Sequence, residues 1–313
     1  MTQRSFGAEL PGVFGDMKVV GFNTKEGLHL GVVEGQEVID LQAVDASAPN
    51  DLGEWLRRDN GDLTSLKALA QRARFNARRP LGGLDYTLPV ARPGKIICLG
   101  VNYREHLQEA FHGDRVETSP TIFMRCPSSL LSHGRPIILP KVSATLDYEA
   151  EMVVVVGKRA KHLDVSNALS CIAGYSCAND GSIREFQVKT TQWDMGKNFD
   201  ATGAFGPWMV TADDLPPGGK GLKIECRLNG MVMQSDNTAN MIFPVAESIA
   251  YVTQGMTLEP GDIIMTGTPS GVGLARKPPV WMKAGDICEI EIEGIGVLSN
   301  PITDESNSSR SFD

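Results

Sequence analysis

The chain has 313 residues, of which 42% are apolar and 22% charged, values that are ordinary for a folded globular protein and exclude wholesale disorder. This length allows a small domain followed by a larger one, with room for a sizeable core. The formal net charge of -8 argues against a nucleic-acid partner, because binding a phosphate backbone requires clustered Lys and Arg.

Membrane insertion and secretion are also argued against by the sequence. No window of about 18 apolar residues occurs, so no transmembrane helix is predicted. Residues Met1 to Gly7 lack the basic and apolar regions of a secretory signal. The six cysteines form no C-x-x-C pair and lie mostly in apolar runs, which indicates reduced core thiols rather than a zinc site. Together these features predict a cytoplasmic protein.

Residues 1–92 are predicted to form a small N-terminal α/β domain. Short strands are expected at Lys18–Asn23, Leu28–Glu34 and Val38–Leu41, because turn signals separate these apolar stretches. A helix is predicted over Leu63–Asn76 from its apolar residues at helical spacing.

Residues 93–303 are predicted to form a second, β-rich domain. Asn229-Gly230 is a tight hairpin signal, and Val245–Thr253 is the clearest helix. Leu169–Ala178 fits either a strand or a helix followed by a strand. The other predicted strands are Lys95–Leu99, Glu149–Val156, Lys223–Leu228, Asp262–Thr266 and Ile287–Ile292. The polar tail, 304–313, is predicted to be disordered.

Acidic residues begin the predicted strand that contains four consecutive valines. Side chains alternate along a strand, so Asp147, Glu149 and Glu151 are expected on one face. The apolar run that follows predicts burial on both sides, where paired carboxylates need a cation such as Mg²⁺, Mn²⁺ or Ca²⁺. Asp180 is a candidate third ligand. The alternatives are a solvated strand end, and an ordinary turn at Asn179-Asp180-Gly181.

A histidine and a glutamate follow the predicted strand Lys95–Leu99. Asn102 is expected to cap a helix on which His106 and Glu109 share one side. A carboxylate beside an imidazole fixes its tautomer, which suits a general base. The alternative is a surface ion pair, since this spacing is common by chance.

These motifs, taken together and in order, resemble the fumarylacetoacetate hydrolase family from about Ile96 to Pro301. They are Gly100-Val101-Asn102-Tyr103 with His106 and Glu109, Asp147-Tyr148-Glu149-Ala150-Glu151, Asn179-Asp180 with Arg184 and Gln187, Gly196-Lys197-Asn198-Phe199, and the run from Gly261 to Gly273. The resemblance implies an α+β, β-rich fold, the family's mixed β-roll with a smaller N-terminal domain, and a homodimer.

The resemblance also implies roles for individual residues. The metal, Mg²⁺ or Mn²⁺, would be held by Glu149, Glu151 and Asp180. A His106–Glu109 dyad would activate water. Lys197 would lie beside the reacting oxygen. The implied substrate contacts are Arg125, Arg184, Gln187 and Thr268.

The implied chemistry is cleavage of a carbon–carbon bond in a small 2-oxo acid, of the acylpyruvate type. The same site could serve decarboxylation of oxaloacetate or isomerisation of 2-hydroxydienedioates from aromatic breakdown, and the residues do not choose among these reactions. A further alternative is a non-catalytic member that binds a small acid. The Gly-rich run Thr266 to Gly273 lacks the G-x-x-x-x-G-K-[ST] order of a phosphate-binding loop, so a nucleotide site is rejected.

Overall fold

The computed structural model describes residues 17–111 and 118–307. It has mixed α/β structure in which strands dominate. The helices are α1 Leu41–Val44, α2 Leu52–Arg58, α3 Thr64–Gln71, α4 Arg104–Phe111, α5 Arg184–Gln187, α6 Asp194–Lys197 and α7 Val245–Gly255. Within the described ranges, no helix is long and apolar enough to span a membrane.

The strands make up most of the regular structure and are numbered here in chain order. The strands are β1 Lys18–Thr24, β2 Gly27–Glu34, β3 Glu37–Asp40, β4 Arg78–Pro80, β5 Asp85–Tyr86, β6 Ile96–Gly100, β7 Thr121–Met124, β8 Leu130–Leu131, β9 Ile137–Leu139, β10 Leu146–Asp147, β11 Ala150–Val156, β12 Ile172–Asn179, β13 Ser182–Ile183, β14 Gly203–Thr211, β15 Lys223–Leu228, β16 Met231–Asn237, β17 Ile263–Met265, β18 Ile287–Ile292 and β19 Gly296–Asp304.

One large sheet runs through the described part of the chain. Its order is β4-β3-β2-β1-β14-β12-β11-β17-β6-β7, with β5 paired to β1 and β8 paired to β14. A second sheet has the order β16-β15-β18-β19-β9, and β10 pairs with β13. The predicted α+β, β-rich fold is therefore confirmed.

The N-terminal strands extend the large sheet, because β1 pairs with β14. The strand predictions there are correct to within one residue at either end. The helix prediction Leu63–Asn76 is too long: α3 ends at Gln71, and a separate 3₁₀ turn, Phe75–Ala77, follows. The apolar spacing persists beyond Gln71, but Phe75 is 88% exposed, so no core contact sustains the helix. The proposed boundary at residue 92 stays a prediction.

Every strand predicted for the second half is present, although others, β14 among them, were not predicted. β15 and β18 have the predicted bounds, and Asn229 and Gly230 both have positive φ in the hairpin between β15 and β16. The ambiguous stretch is a 3₁₀ turn, Ala168–Cys171, followed by β12. Of the predicted tail, Asp304 ends β19 and 305–307 form a 3₁₀ turn, while 308–313 lie outside the described residues.

Four neighbouring strands bring the site together at one end of the sheet. β6 and β17 are parallel, and β11 runs antiparallel to both β17 and β12. The carboxyl ends of β6, β12 and β17 therefore meet the amino end of β11. β11 is buried along its whole length, with Met152 and Val154 facing one core cluster and Val153 and Val155 facing another. The predicted two-sided burial of this strand is confirmed.

Candidate active site

Three buried carboxylates converge where β11 begins and β12 ends. The register pairs Ala150 with Asn179, so Glu149 and Asp180 lie side by side, and the N–H of Asp180 donates to the carbonyl of Glu149 at 2.9 Å. Glu151 lies two residues further along. One carboxylate oxygen of each of the three residues lies within 4.8 Å of the others. The side chains proposed from the sequence as metal ligands therefore form one cluster.

Asp147 does not share this cluster. β10 ends at Asp147 and pairs with β13, whereas β11 begins at Ala150 in the large sheet, so no single strand carries all three acidic residues on one face. The expectation that Asp147 lies beside Glu149 and Glu151 is wrong for this reason. Its carboxylate instead accepts hydrogen bonds from the N–H groups of Gly273 and Leu274, at 2.7 and 3.0 Å.

Cationic side chains neutralise part of the cluster. The Nζ of Lys197 donates to Glu149 at 2.6 Å and to Asp180 at 2.5 Å. Arg184 bridges Asp147 and Glu149, with both distances 2.7 Å. Burial opposes ionisation of Glu149, but Lys197 and then Arg184 outweigh it and lower the pKa of that carboxyl to about 2. Glu149 is therefore ionised at neutral pH.

Glu151 has a different environment. It is 1% exposed, and its one hydrogen bond among the described residues comes from the N–H of Gly267 at 2.9 Å. Within the same ranges, no Lys, Arg or His lies at ion-pair distance from it. Burial, followed by the charges of Asp180 and Glu149, raises the pKa of Glu151 well above its usual value. A buried carboxylate without a cation is the feature that a metal ion from solution would neutralise.

The donor set fits a hard divalent cation. Glu149, Glu151 and Asp180 supply oxygen atoms only, and their spacing is on the scale of oxygens around one ion. These three residues would hold Mg²⁺ or Mn²⁺. The thiol of Cys98 is fully buried and interacts electrostatically with Asp180 and Glu151. Burial raises the pKa of this thiol well above its usual range, so Cys98 is a poor competing ligand for the metal.

The His106–Glu109 pair is formed on α4. The Nδ1 of His106 lies 2.9 Å from Glu109 Oε2, and His106 is 8% exposed. The carboxylate can only accept, so this contact assigns the proton to Nδ1 and leaves Nε2 with a free lone pair. When protonated, the imidazole of His106 also lowers the pKa of Glu149, after burial, Lys197 and Arg184, so the dyad lies close enough to the cluster to interact with it electrostatically.

Asn102 does not cap this helix. Its side-chain amide donates to the carbonyls of Phe243 and Thr266, and its oxygen accepts from the N–H of Phe243. The prediction of an Asn102 cap is wrong because these distant segments satisfy the side chain first. Val101, in the same turn, has φ +53°, a left-handed conformation that is unfavourable for a β-branched residue.

The Gly-rich run after β17 holds three carboxylates through main-chain N–H groups. Gly267 donates to Glu151, Gly271 donates to Glu109 at 2.9 Å, and Gly273 donates to Asp147. We call residues 267–273 the amide loop. Its amides bind carboxylates of the chain itself, in agreement with the rejection of a phosphate-binding loop. The sequence analysis did not predict that this loop binds carboxylates, although its repeated glycines indicated a role for the main chain.

Four proposed substrate contacts have protein partners in this structure. All guanidinium nitrogens of Arg125 donate to protein acceptors, among them Asp180, and its side chain is fully buried. This geometry favours a role for Arg125 in orienting Asp180 over direct contact with a substrate. Gln187 accepts from Arg184 at 2.8 Å, and Thr268 accepts from Gln234 at 2.8 Å. Their contact with a substrate stays a prediction.

Arg184 keeps one buried nitrogen, Nη2, without a hydrogen-bond partner among the residues that the structure describes. A buried donor of this kind is costly unless a ligand satisfies it.

The sequence analysis did not identify Gln234 as part of the site. This side chain is 1% exposed, accepts from the N–H of Ala150 at 2.9 Å and donates to Thr268 and Pro269. It therefore links β11 to the amide loop.

Comparisons with known proteins agree with this geometry. Residues 95–303 match the family model described as "Fumarylacetoacetate (FAA) hydrolase C-terminal". Oxaloacetate tautomerase Fahd2a, mitochondrial, of Rattus norvegicus is 40% identical over 295 residues, which cover 92% of each chain.

Two solved structures have the same fold. The fumarylacetoacetate hydrolase of Exiguobacterium antarcticum has 32% identity and a TM-score of 0.79, and the match covers 92% of this chain and 100% of that chain. The 2-hydroxyhepta-2,4-diene-1,7-dioate isomerase of Mycobacterium marinum has 27% identity and a TM-score of 0.72, covering 93% and 100%. The family match spans more than half of the chain, and it contains every residue of the carboxylate cluster and of the dyad. The chain therefore belongs to the fumarylacetoacetate hydrolase family.

Proposed function

We propose that this enzyme interconverts the enol and keto forms of a small 2-oxo dicarboxylic acid, with oxaloacetate as the substrate. The observation that carries the proposal is a single imidazole, oriented by Glu109 and within electrostatic reach of a buried carboxylate cluster. One acid–base group beside a 2-oxo acid site is sufficient for tautomerisation. The rat relative, 40% identical over 92% of each chain, carries this activity in its name.

The reaction needs no second substrate. A proton leaves the carbon next to the 2-oxo group, and a proton is added to the 2-oxo oxygen, so atoms and charge balance without an oxidant or an attacking water. A divalent cation held by the three carboxylates would supply Lewis acidity toward the carboxylate and 2-oxo oxygens of the substrate.

The side chains of the chain have separate tasks. The Nε2 of His106 takes the proton from carbon and delivers it to the 2-oxo oxygen, and both transfers are reversed in ketonisation. Glu109 keeps the ring in the Nδ1–H tautomer. Lys197 uses two of its three N–H donors on Glu149 and Asp180, which leaves the third for an oxygen of the substrate. The Nη2 of Arg184, which has no partner within residues 17–111 and 118–307, would bind a substrate carboxylate.

Hydrolysis of an acylpyruvate is a second candidate. The same Nε2 that accepts a proton from carbon could accept one from water, as the sequence analysis proposed. A solved structure with 32% identity is named a fumarylacetoacetate hydrolase, which supports this alternative. The identity to the tautomerase is higher, so tautomerisation is the main proposal.

The deciding experiment follows loss of enol absorbance from oxaloacetate, alongside cleavage of an acylpyruvate, with Mg²⁺ or Mn²⁺ present. The wild type is expected to accelerate ketonisation, and His106→Ala to lose about 10²–10⁴-fold of that rate. His162→Asn is the matched control, since His162 is exposed, lies outside the site and has φ +55°, which Asn tolerates. Acylpyruvate cleavage without faster ketonisation would make the enzyme a hydrolase.

The preferred ion, the homodimer and the compartment belong to the same proposal. Mg²⁺ and Mn²⁺ both suit three carboxylates, and calorimetric titration of each would rank them. Light scattering would test the homodimer. The name of the rat relative includes "mitochondrial", so the cytoplasmic location stays a prediction that cell fractionation would check.

A further inference from the structure

We propose that Arg276 and Tyr148 are positioning residues for the proton-transferring dyad, and that they act through Gly271 of the amide loop. Neither residue is among the proposed ligands, acid–base groups or substrate contacts. The inference rests on the proposed role of His106, and it extends the functional machinery to the outer side of the amide loop.

Gly271 is used from both sides. Its N–H donates to Glu109 Oε1 at 2.9 Å, and Glu109 Oε2 in turn lies 2.9 Å from His106 Nδ1. Its carbonyl accepts from the hydroxyl of Tyr148 at 3.2 Å and from Nε of Arg276 at 3.3 Å. The position of one loop residue therefore determines whether Glu109 is held in place.

Gly271 cannot fix its own position with a side chain. Its φ is +98°, and an added Cβ would lie 2.4 Å from the carbonyl oxygen of Met233. Arg276 donates to that same carbonyl at 2.5 Å. The guanidinium thus links Gly271 to β16, and it holds Gly271 in a position that has no room for a side chain.

The partners of Arg276 indicate that it is not present for an ion pair. Its hydrogen bonds go to three neutral oxygens, those of Tyr148, Gly271 and Met233. Within the described ranges, no carboxylate lies at ion-pair distance from it. The hydroxyl of Tyr148 accepts from Arg276 at 3.0 Å while donating to Gly271, and such a relay strengthens both bonds.

The effect should be confined to the dyad. Near the start of the amide loop, Gln234 separately holds Thr268 and Pro269, and Gly267 lies two residues after the end of β17. Loosening Gly271 therefore frees Glu109 but leaves the N–H of Gly267 on Glu151. This separates a positioning role from general support of the loop.

The test compares Arg276→Met, which keeps length but removes every donor, and Tyr148→Phe, which removes one hydroxyl. We expect kcat for ketonisation to fall about 10–100-fold in Arg276→Met and less in Tyr148→Phe, the range typical of groups that orient a reactive residue. The affinity for Mg²⁺, measured by calorimetry, should stay unchanged. Arg276→Lys should restore part of kcat.

A readout independent of activity is the tautomer of His106. In the metal-free protein, ¹⁵N NMR of the imidazoles should show the Nδ1–H form in the wild type and a mixture of both tautomers in Arg276→Met. His106→Ala assigns the signals. Arg159→Met is the matched control, because Arg159 pairs with Glu259 on the exposed surface outside the site.

Unchanged kcat and tautomer in both variants would overturn the proposal, as would a loss of Mg²⁺ affinity equal to the loss of kcat. If Arg276→Met does not fold, Tyr148→Phe decides. If the wild type processes no 2-oxo acid, the proposed function fails, and the tautomer measurement still decides whether Arg276 and Tyr148 position the dyad.

Discussion

The carboxylate cluster and the dyad lie close together but are held in different ways. Glu149, Glu151 and Asp180 are at most 5% exposed and lie at the adjoining ends of two strands buried within the sheet. His106 and Glu109 are on an eight-residue helix, and the side chain of Glu109 is 20% exposed. Apart from its contact with His106, Glu109 has one other hydrogen bond among the described residues, from Gly271.

This difference predicts that the proposed ion binding and the proposed proton transfer can be disrupted separately. Strand register and the buried cations Arg125, Arg184 and Lys197 hold the cluster. One hydrogen bond from the amide loop, from the N–H of Gly271 to Glu109, holds the dyad. Substitutions in one region should therefore leave the other intact, and the following predictions test that division.

The largest effect is expected for Glu151→Gln. The amide can still accept from Gly267, but it removes one ligand charge, so Mg²⁺ affinity and activity should both fall below detection. The metal-free variant should be more stable than metal-free wild type, because a buried carboxylate without a cation is lost. Calorimetric Mg²⁺ titration and melting curves in EDTA measure the two effects. Tight Mg²⁺ binding by the variant would exclude Glu151 as a ligand.

Gly271→Ala should break the dyad while sparing the cluster. Positive φ and the clash with Met233 force the loop to move, so we expect kcat to fall at least about 10-fold and stability to fall by about 1–3 kcal/mol. Gly230→Ala is the matched control: its φ is +78° but its Cβ would meet nothing within 4 Å. A similar loss in both variants would mean that backbone strain, and not the loop contact, is responsible.

Glu109→Gln tests the orienting carboxylate itself. The amide has the same shape as the Glu109 side chain, but it no longer forces the proton of His106 onto Nδ1. We therefore expect kcat to fall about 10-fold with unchanged Mg²⁺ affinity. The decrease should be smaller than for His106→Ala, since the base remains. Equal rates for wild type and Glu109→Gln would show that another group orients the ring.

The pH dependence of stability should differ between wild type and Glu151→Gln in EDTA. The raised pKa means that folded Glu151 binds its proton more tightly than the unfolded chain, so the free energy of unfolding falls as pH rises above the unfolded value of 4.5. Glu149, with a pKa of about 2, acts in the opposite sense and only at more acidic pH. Urea unfolding should show that the free energy of unfolding of the variant, relative to that of the wild type, is larger at about pH 8 than at about pH 5. A constant difference would contradict the assignment.

The smallest effect is expected at the strained turn that leads into α4. Val101→Gly relieves a left-handed conformation and should stabilise the protein by about 1 kcal/mol without changing Mg²⁺ affinity. Val165→Gly is the control: Val165 is 53% exposed, and its loss should destabilise slightly. Thermal melting measures both. Destabilisation by Val101→Gly would show that packing of Val101 outweighs the strain.

Local spacing suggested the cluster and the dyad but left a solvated strand end and a surface ion pair as alternatives, and the family resemblance decided between them. Glu149 lies directly before β11 and Glu151 is the second residue of that strand, while His106 and Glu109 are three residues apart on a helix, so backbone geometry brings the members of each pair together. Asp180 entered as a candidate at the end of an apolar stretch, and the resemblance supplied its role.

Contacts between distant segments escaped the sequence reasoning. Gln234 reaches Ala150 across 84 residues, and the Asn102 side chain reaches Phe243 across 141. Nothing in the local pattern of either residue marks its partner. β14, the longest strand together with β19, was also missed, although nine residues beginning at Gly203 pair across the centre of the sheet.

The amide loop has a consequence for sequence divergence. It binds the carboxylates through main-chain N–H groups, which every residue except proline possesses, so these bonds place no demand on the side chains between its glycines, of which Thr268 is held by Gln234. Ser270 is partly exposed, and Leu274, just beyond the loop, is 44% exposed. Such positions can accumulate substitutions by neutral drift while the carboxylates stay in place. The loop thus offers a route by which descendants of one catalytic scaffold acquire new acid substrates without rebuilding their chemistry.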